Sequence, residues 1–204
     1  MSDEQITNIE QNSANVPTEK SIGFDLATFV WEVIKTVLIS LAIILPIRYY
    51  LVQPFFVKGP SMESNFLDKD YLIVDEIGYR FNEPKRGDVV IFRYPYDTKQ
   101  FFIKRIVGLP GETVEVKNNS VIIYNKPNPG GMVLTENYLD SFQQTLGADR
   151  VKLDDDEYFV MGDNRLQSHD SRAFGPVKKS LIIGRPFLRL YPLDRVGTIA
   201  RIEN

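Results

Sequence analysis

The sequence contains no cysteine and a single histidine, His169. The lack of cysteine excludes disulfide bridges, cysteine-based zinc sites and a cysteine nucleophile. A histidine-containing catalytic triad would depend on His169 alone. That residue lies in the polar stretch 164–172, where a solvated loop histidine is the simpler interpretation.

An excess of positive charge is also missing, since 24 lysines and arginines stand against 27 aspartates and glutamates, a net charge of -3. Such a balance supplies no broad attraction for nucleic acid, so we do not expect nucleic acid as a partner. The acidic run Asp154–Glu157 lacks the spaced ligands and turn glycine of a calcium loop. We therefore expect no metal site, and nothing in the sequence indicates a cofactor.

Long apolar runs are absent except near the start of the chain. Residues 1–25 are polar and are predicted to be a disordered tail. Residues 26–50 are predicted to form one transmembrane helix, because their central stretch carries only Glu32 and Lys35 as charges. Its 22 residues would span about 30 Å, the hydrocarbon thickness of a bilayer. A buried core helix is the alternative, and the flanking charges do not decide the orientation.

The rest of the chain, residues 51–204, is built of short apolar or alternating segments such as YLIVDEI, DVVIFRY, SVIIY and EYFVMG. Glycine, proline and asparagine separate them, a pattern that predicts a mainly β fold. We expect a compact antiparallel β-sheet or barrel-like domain. Residues 125–152 are more polar and are predicted to be a loop-rich insertion with one short helix.

Ser61 is the first candidate for chemistry. It follows Gly59 and Pro60, which impose a turn directly after an apolar run. This placement leaves the Ser61 backbone N–H free to face a ligand. Taken alone, a serine after Gly-Pro is far more often an ordinary turn residue than a nucleophile, and a serine nucleophile also needs a base.

Lys104 is the candidate base. If residues 101–107 form a strand, Phe102, Lys104 and Ile106 share one face, so the amine lies among apolar neighbours. Desolvation lowers the pKa of a lysine, as a general base requires. The alternative is a lysine that extends from an ordinary edge strand into solvent.

Four segments of the chain occur in the order and with the spacing of the boxes of bacterial type I signal peptidases. They are Ser61-Met62 after an apolar stretch, Arg86–Arg93, Ile103–Glu112, and Met161–Arg165 continuing to Ser168–Arg172. The sequence resembles this family from about Trp31 to Gly197. The resemblance implies a catalytic serine peptidase domain over residues 51–204.

The resemblance also implies roles for individual residues. Ser61 would form the acyl-enzyme, and Lys104 would act as its general base. Ser168 would hold the Lys104 amine through a hydrogen bond.

Two charged pairs would support the site in the same family. Asp163 would pair with Arg105, and Asp170 would support Arg172. For the second pair an exposed surface contact is the alternative, and such contacts contribute little stability.

Substrate binding is implied at four apolar positions that line shallow pockets in the family: Val57, Met62, Phe102 and Ile103. Their bulk would exclude large side chains, so cleavage after small residues is expected. The substrate would lie extended between two strand edges by β-augmentation.

The oxyanion hole is where the sequence departs from its relatives. Ser61 and Gly59 are predicted to form it, but glycine stands where some members of the family have a hydroxyl residue. In addition, Ser64 and Asn65 follow Glu63 where the family often has Pro-Thr. We therefore expect a different turn geometry after the serine.

The resemblance predicts a membrane-bound endopeptidase that removes N-terminal signal peptides from exported preproteins. It would be a single-pass protein of the cytoplasmic membrane, with its catalytic domain on the extracytoplasmic side. Its partners would be preprotein signal peptides, the lipid bilayer and the nearby export machinery. The alternatives are a self-cleaving Ser/Lys repressor, an inactive membrane-anchored binding module and a structural membrane protein.

Overall fold

The computed structural model describes residues 26–46, 52–140 and 143–201. The chain divides near Ile43 into two units, which are described separately. The predicted tail, residues 1–25, and the predicted end of the transmembrane helix, residues 47–50, lie outside the described residues.

The first unit contains one long helix, α1 (Leu26–Pro46). None of its residues from Leu26 to Leu45 is buried, so the alternative of a core helix is not supported. Its only charged side chains, Glu32 and Lys35, form an ion pair one turn apart, with Nζ and Oε1 separated by 3.5 Å. By length and composition α1 fits a single-pass membrane anchor.

The second unit is made mostly of strands. In chain order the elements are β1 (Val52–Phe56), β2 (Tyr71–Asp75), α2 (Gly78–Phe81), β3 (Val89–Tyr94), β4 (Asp97–Gly108), β5 (Thr113–Lys117), β6 (Ser120–Tyr124), β7 (Met132–Val133), β8 (Ala148–Lys152), β9 (Glu157–Met161), α3 (Ser171–Phe174), β10 (Val177–Lys178), a 3-10 turn (Lys179–Leu181), β11 (Ile182–Tyr191), a second 3-10 turn (Leu193–Arg195) and β12 (Gly197–Thr198).

The larger sheet has the strand order β1-β2-β11-β3-β4-β9-β10, with β12 added to β11. All pairings in the described part of the chain are antiparallel. In β2 the alternating pattern buries Leu72 and Val74, whereas Val89–Phe92 of β3 is buried on both faces. An uninterrupted apolar run is what a central, doubly covered strand needs. The predicted mainly β fold is confirmed.

The smaller sheet has the order β7-β6-β5-β8. Its core comes from alternating positions of β5 and β6, and the two strands are joined by Asn118 and Asn119, both with positive φ. Such a two-residue turn matches the twist of a hairpin.

This sheet includes β7 and β8, which lie inside the predicted insertion 125–152. The described residues of the insertion contain no helix, contrary to the prediction. The polar residues that suggested loops are the exposed residues of β8 and of the connections beside it.

Candidate active site

Ser61 lies in the connection between β1 and β2, in a turn that we call the serine turn (residues 60–66). Gly59 precedes it with φ +83°, a conformation that glycine adopts without steric cost. Inside the turn, the Glu63 N–H donates to the Pro60 carbonyl at 3.0 Å. The peptide bond between Glu63 and Ser64 is cis.

Lys104 comes from β4, where it is in register with Val90 of β3. Only 4% of Lys104 is exposed. Its Nζ lies 2.8 Å from Ser61 Oγ and donates to the Ile103 carbonyl at 2.9 Å. The Phe102 ring centre is 5.4 Å from the same nitrogen. Strand alternation has therefore placed the amine in an apolar surrounding beside the serine hydroxyl, as predicted.

Burial lowers the pKa of Lys104 from its ordinary value of 10.5 to about 8, although the charges of Asp170 and Asp163 act in the opposite direction. Desolvation dominates because the charged ammonium loses its hydration inside the protein. Near pH 8 a large fraction of the amine is neutral and can accept a proton. A hydroxyl and a neutral amine at hydrogen-bond distance can exchange that proton directly.

The predicted pair between Arg105 and Asp163 is present and buried. Arg105 Nε donates to Asp163 Oδ1 at 2.8 Å, and Nη1 donates to the Gly87 carbonyl at 2.8 Å. A buried ion pair of this kind fixes geometry, and removal of one partner leaves an uncompensated charge.

Asp170 and Arg172 are also paired, at 2.8 Å between Oδ2 and Nη2. Asp170 is fully buried, so the alternative of an exposed surface pair is wrong. Burial of Asp170 disfavours its charged form, but the Arg172 guanidinium and the Gly162 N–H outweigh it and lower the pKa of the carboxyl. The Gly162 N–H donates to Asp170 Oδ2 at 3.0 Å.

The predicted hydrogen bond between Ser168 and Lys104 is absent from the described residues. Ser168 Oγ is buried without a hydrogen bond to the amine, and its interaction with Asp170 helps to lower the pKa of that carboxyl. Ser168 also packs against Gly162, where an added Cβ would lie 2.2 Å from Ser168 Oγ and 2.4 Å from the Ser61 carbonyl oxygen. The Asn164 N–H donates to that same carbonyl at 3.1 Å. Glycine at 162 therefore permits the loop after β9 to contact the serine turn.

The two residues predicted to form the oxyanion hole, Ser61 and Gly59, differ in whether their backbone N–H is already engaged. Among the described residues the Ser61 N–H has no hydrogen-bond acceptor, so it can face a developing negative charge. The Gly59 N–H instead donates to Asp68 Oδ1 at 2.9 Å. Gly59 has no side-chain donor either, so its predicted contribution is corrected.

A cleft of about 630 Å³ opens beside Ser61. Of the four predicted substrate-binding residues, Val57, Phe102 and Ile103 line it. Met62 does not, because it is fully buried in the apolar cluster beneath the serine turn, and its sulfur accepts the Asp163 N–H at 3.4 Å. The prediction for Met62 is corrected, since in this chain it supports the turn from below.

The two long sides of the cleft are strand edges. β1 is the outermost strand of its sheet and pairs only with β2. β9 pairs with β4 only at residues 105–108, so among the described strands the same side of β4 at residues 97–104 is unpaired. The Phe55 and Phe101 rings, 5.5 Å apart, meet across the gap.

His169 is exposed, and its Nε2 lies 3.3 Å from the Tyr94 hydroxyl. No hydrogen bond joins it to Ser61 among the described residues. In the described part of the chain no group of three or more His, Asp or Glu side chains could hold a metal ion.

Arg165 was missed at the sequence level. It is one of the largest fully buried side chains, and its Nε donates to the Gly162 carbonyl at 3.1 Å. From the sequence alone, its position in a polar stretch two residues after Asp163 predicts a solvated loop arginine, not a buried one. Its acceptor Glu136 lies 29 residues away, at 2.9 Å from Nη1, and no local pattern relates the two.

A serine hydroxyl beside a buried lysine amine, on an antiparallel β-sheet body, defines the class of serine hydrolases that use lysine in place of histidine. Residues 30–191 match the family described as "Signal peptidase, peptidase S26". The chain belongs to this family of signal peptidases, and the predicted resemblance is confirmed.

Relatives match over most of the chain. A signal peptidase I from Leptolyngbya laminosa is 38% identical over 176 residues, covering 82% of this chain and 83% of the relative. Signal peptidase I P from Bacillus subtilis subsp. natto is 35% identical over 168 residues, covering 80% and 90%. A crystal structure of a signal peptidase I from Enterococcus faecalis is 31% identical and covers 51% of this chain and 97% of that one, with a TM-score of 0.43.

Proposed function

We propose that this chain removes N-terminal signal peptides from exported preproteins, with Ser61 as the nucleophile and Lys104 as the general base. The observation that carries the proposal is the 2.8 Å separation of Ser61 Oγ and Lys104 Nζ at a buried, desolvated lysine. Family membership supports the activity, and the geometry supports the choice of residues.

In the proposed reaction, neutral Lys104 accepts the Ser61 proton while Oγ attacks the scissile carbonyl carbon. The tetrahedral oxyanion is stabilised by the Ser61 N–H. Collapse breaks the peptide bond, and the Lys104 ammonium returns the proton to the leaving amine. The neutral lysine then deprotonates a water molecule, which attacks the acyl ester. As the ester bond breaks and the signal peptide leaves, the lysine ammonium returns this proton to Ser61 Oγ.

The cleft supports an extended substrate. A peptide strand placed between the β1 edge and the unpaired part of β4 can form main-chain hydrogen bonds to both. Alternate side chains of such a strand point the same way, so the first and third residues before the scissile bond both face the wall. The side chains of Val57, Phe102 and Ile103 line the cleft there and reduce the space for substrate side chains, which favours small residues at these two positions.

The proposed location is the cytoplasmic membrane, with α1 as the single-pass anchor and the β-sheet body on the extracytoplasmic side. This orientation is supported by the substrates, since signal peptides of exported proteins are cut where the mature chain emerges. Preprotein substrates follow from the family, and a position beside the export machinery is part of the proposal.

The test is cleavage of a detergent-solubilised preprotein by the wild type and by Ser61→Ala, Lys104→Ala and Lys126→Ala. The first two variants are expected to lose activity, because one lacks the nucleophile and the other the base. Lys126 is exposed and serves as the matched lysine control. Activity like that of the wild type in either Ser61→Ala or Lys104→Ala would contradict the mechanism.

A further inference from the structure

Asn65 connects the serine turn to other parts of the body. It lies four residues after Ser61 and is half-buried. Its side-chain amide donates to the Tyr138 carbonyl and to Asp163 Oδ2, each at 2.9 Å. Its own carbonyl accepts from Arg189 Nη2 at 2.7 Å. Both the side chain and the backbone of this residue are therefore fixed from outside the turn.

Tyr138 belongs to the part of the insertion that we call the support segment (residues 136–145, described except for 141 and 142). The Tyr138 ring centre lies 4.1 Å from the Arg105 guanidinium carbon, so the segment also covers the buried pair beside Lys104. One residue before Asn65, Ser64 Oγ donates to Asp140 Oδ2 at 2.8 Å. The segment thus holds the serine turn through two consecutive side chains.

The same segment holds the loop after β9. Arg165 donates from Nη1 to Glu136 Oε2 at 2.9 Å and to Thr145 Oγ1 at 3.2 Å, and its backbone N–H donates to Gln143 Oε1 at 2.8 Å. The guanidinium is completely buried. Because a buried charge needs its partner, Glu136 fixes the distance between the support segment and this loop.

We propose that the support segment positions Ser61 for reaction and that Asn65 is the positioning residue through which it acts. This inference rests on the proposed function. The short contact between Ser61 Oγ and Lys104 Nζ requires the serine turn to stay against the loop after β9 and against β4. The Asn65 amide binds both Asp163 of that loop and Tyr138 of the support segment. It therefore fixes the position of the serine turn relative to the loop without contacting the reacting atoms.

The first test uses Asn65→Leu, which has a similar shape but no donor. Its kcat is expected to fall about 100-fold, the effect of moving a reacting group by about 1 Å. Its KM should stay near that of the wild type, because the cleft residues are unchanged. Hydrogen exchange of residues 61–66 should become faster. The matched control is Asn125→Leu, since the Asn125 amide donates to Glu112 Oε1 at the same 2.9 Å, elsewhere in the insertion.

The second test uses an exposed contact that does not threaten folding. Ser64→Ala and Asp140→Ala each remove one half of the same hydrogen bond, so each should lower kcat about fivefold, as loss of about 1 kcal/mol predicts. The double variant should be no slower than either single one. Additive losses of kcat would show that the two side chains act independently, and would contradict the role of the Ser64–Asp140 hydrogen bond in positioning the serine turn.

The outcomes separate the two proposals. Wild-type kcat in Asn65→Leu, or equal losses in Asn65→Leu and Asn125→Leu, overturns the positioning role while leaving the proposed function intact. A wild-type chain that cleaves no preprotein overturns the proposed function. Even then, unchanged hydrogen exchange of residues 61–66 in Asn65→Leu overturns the positioning role, because that measurement needs no substrate.

Discussion

Lys104 carries the pH dependence at the scale of single residues. Since only its neutral form accepts a proton, kcat/KM should rise with pH and level off above a pKa of about 8. The measurement is a pH–rate profile of preprotein cleavage between pH 6 and pH 10. Lys104→Arg should be inactive throughout, because guanidinium does not deprotonate in this range. A midpoint near 10.5 would show that burial does not tune the amine.

The same lysine is expected to reduce stability. Below pH 8 it is charged in both the folded and the unfolded state, and its burial then costs about 3 kcal/mol, the equivalent of its lowered pKa. Lys104→Met should therefore unfold at higher urea concentration than the wild type at pH 7. The difference should shrink as the pH rises from about 8 to 10.5, because in this range the folded lysine is neutral while the unfolded lysine still binds its proton, so releasing that proton on folding costs less at higher pH.

Lys126→Met is the control for this experiment, since an exposed lysine has no desolvation penalty to relieve. The measurement is urea unfolding of the detergent-solubilised chain at several pH values, followed by circular dichroism. A stability difference that stays constant from pH 7 to pH 10.5 would contradict the assignment of the effect to the buried charge.

Strand alternation predicted that Lys104 shares a face with Phe102, but it left a buried base and an exposed lysine as equal alternatives. The choice of Lys104 as the base and the Arg105–Asp163 pair follow from the resemblance. The predicted contacts of Ser168 with Lys104 and of Met62 with the substrate cleft are not found, because a sequence motif specifies the residue types but not the contacts between their atoms. The sequence distinguishes Asn65 only as a departure from the family pattern, because its hydrogen-bond partner Tyr138 lies 73 residues away and no local pattern relates the two.

At the scale of elements, the approach of two loops depends on Gly162. Gly162→Ala would place a Cβ 2.4 Å from the Ser61 carbonyl oxygen, which is backbone and cannot rotate away. The loop after β9 and the serine turn would have to separate, and we expect kcat to fall by about 100-fold. The measurement is preprotein cleavage, with Gly130→Ala as the control because nothing lies within 4 Å of that position. Equal activity of the two variants would contradict the close contact.

The elements themselves were predictable to different degrees. Helix α1 is an apolar run long enough to cross a bilayer, and β2, β5 and β6 alternate cleanly between buried and partly exposed positions. β8 was not predicted because none of its residues is buried, so its sequence does not alternate between apolar and polar residues as a half-buried strand does. The order of strands in the sheet was not predictable either, since β11 inserts between β2 and β3 through pairings of residues that lie 90 to 120 positions apart in the sequence.

At the scale of the whole molecule, one chain joins an apolar helix that fits a membrane anchor to a β-sheet body, and the proposed function predicts on which side of the membrane that body lies. The lack of cysteine makes this testable, since an introduced cysteine is the only thiol. We choose two single-cysteine variants. Lys126→Cys places the thiol at an exposed position of the β-sheet body, and Ser13→Cys places it before α1 in the sequence.

In sealed right-side-out membrane vesicles, a membrane-impermeant maleimide should label Lys126→Cys directly. Ser13→Cys should react only after detergent opens the vesicles, because a single helix places its two flanks on opposite sides of the membrane. Labelling of Lys126→Cys only after opening would reverse the proposed orientation. Direct labelling of both positions would show that α1 does not cross the bilayer, and the anchor would then have to lie along its surface.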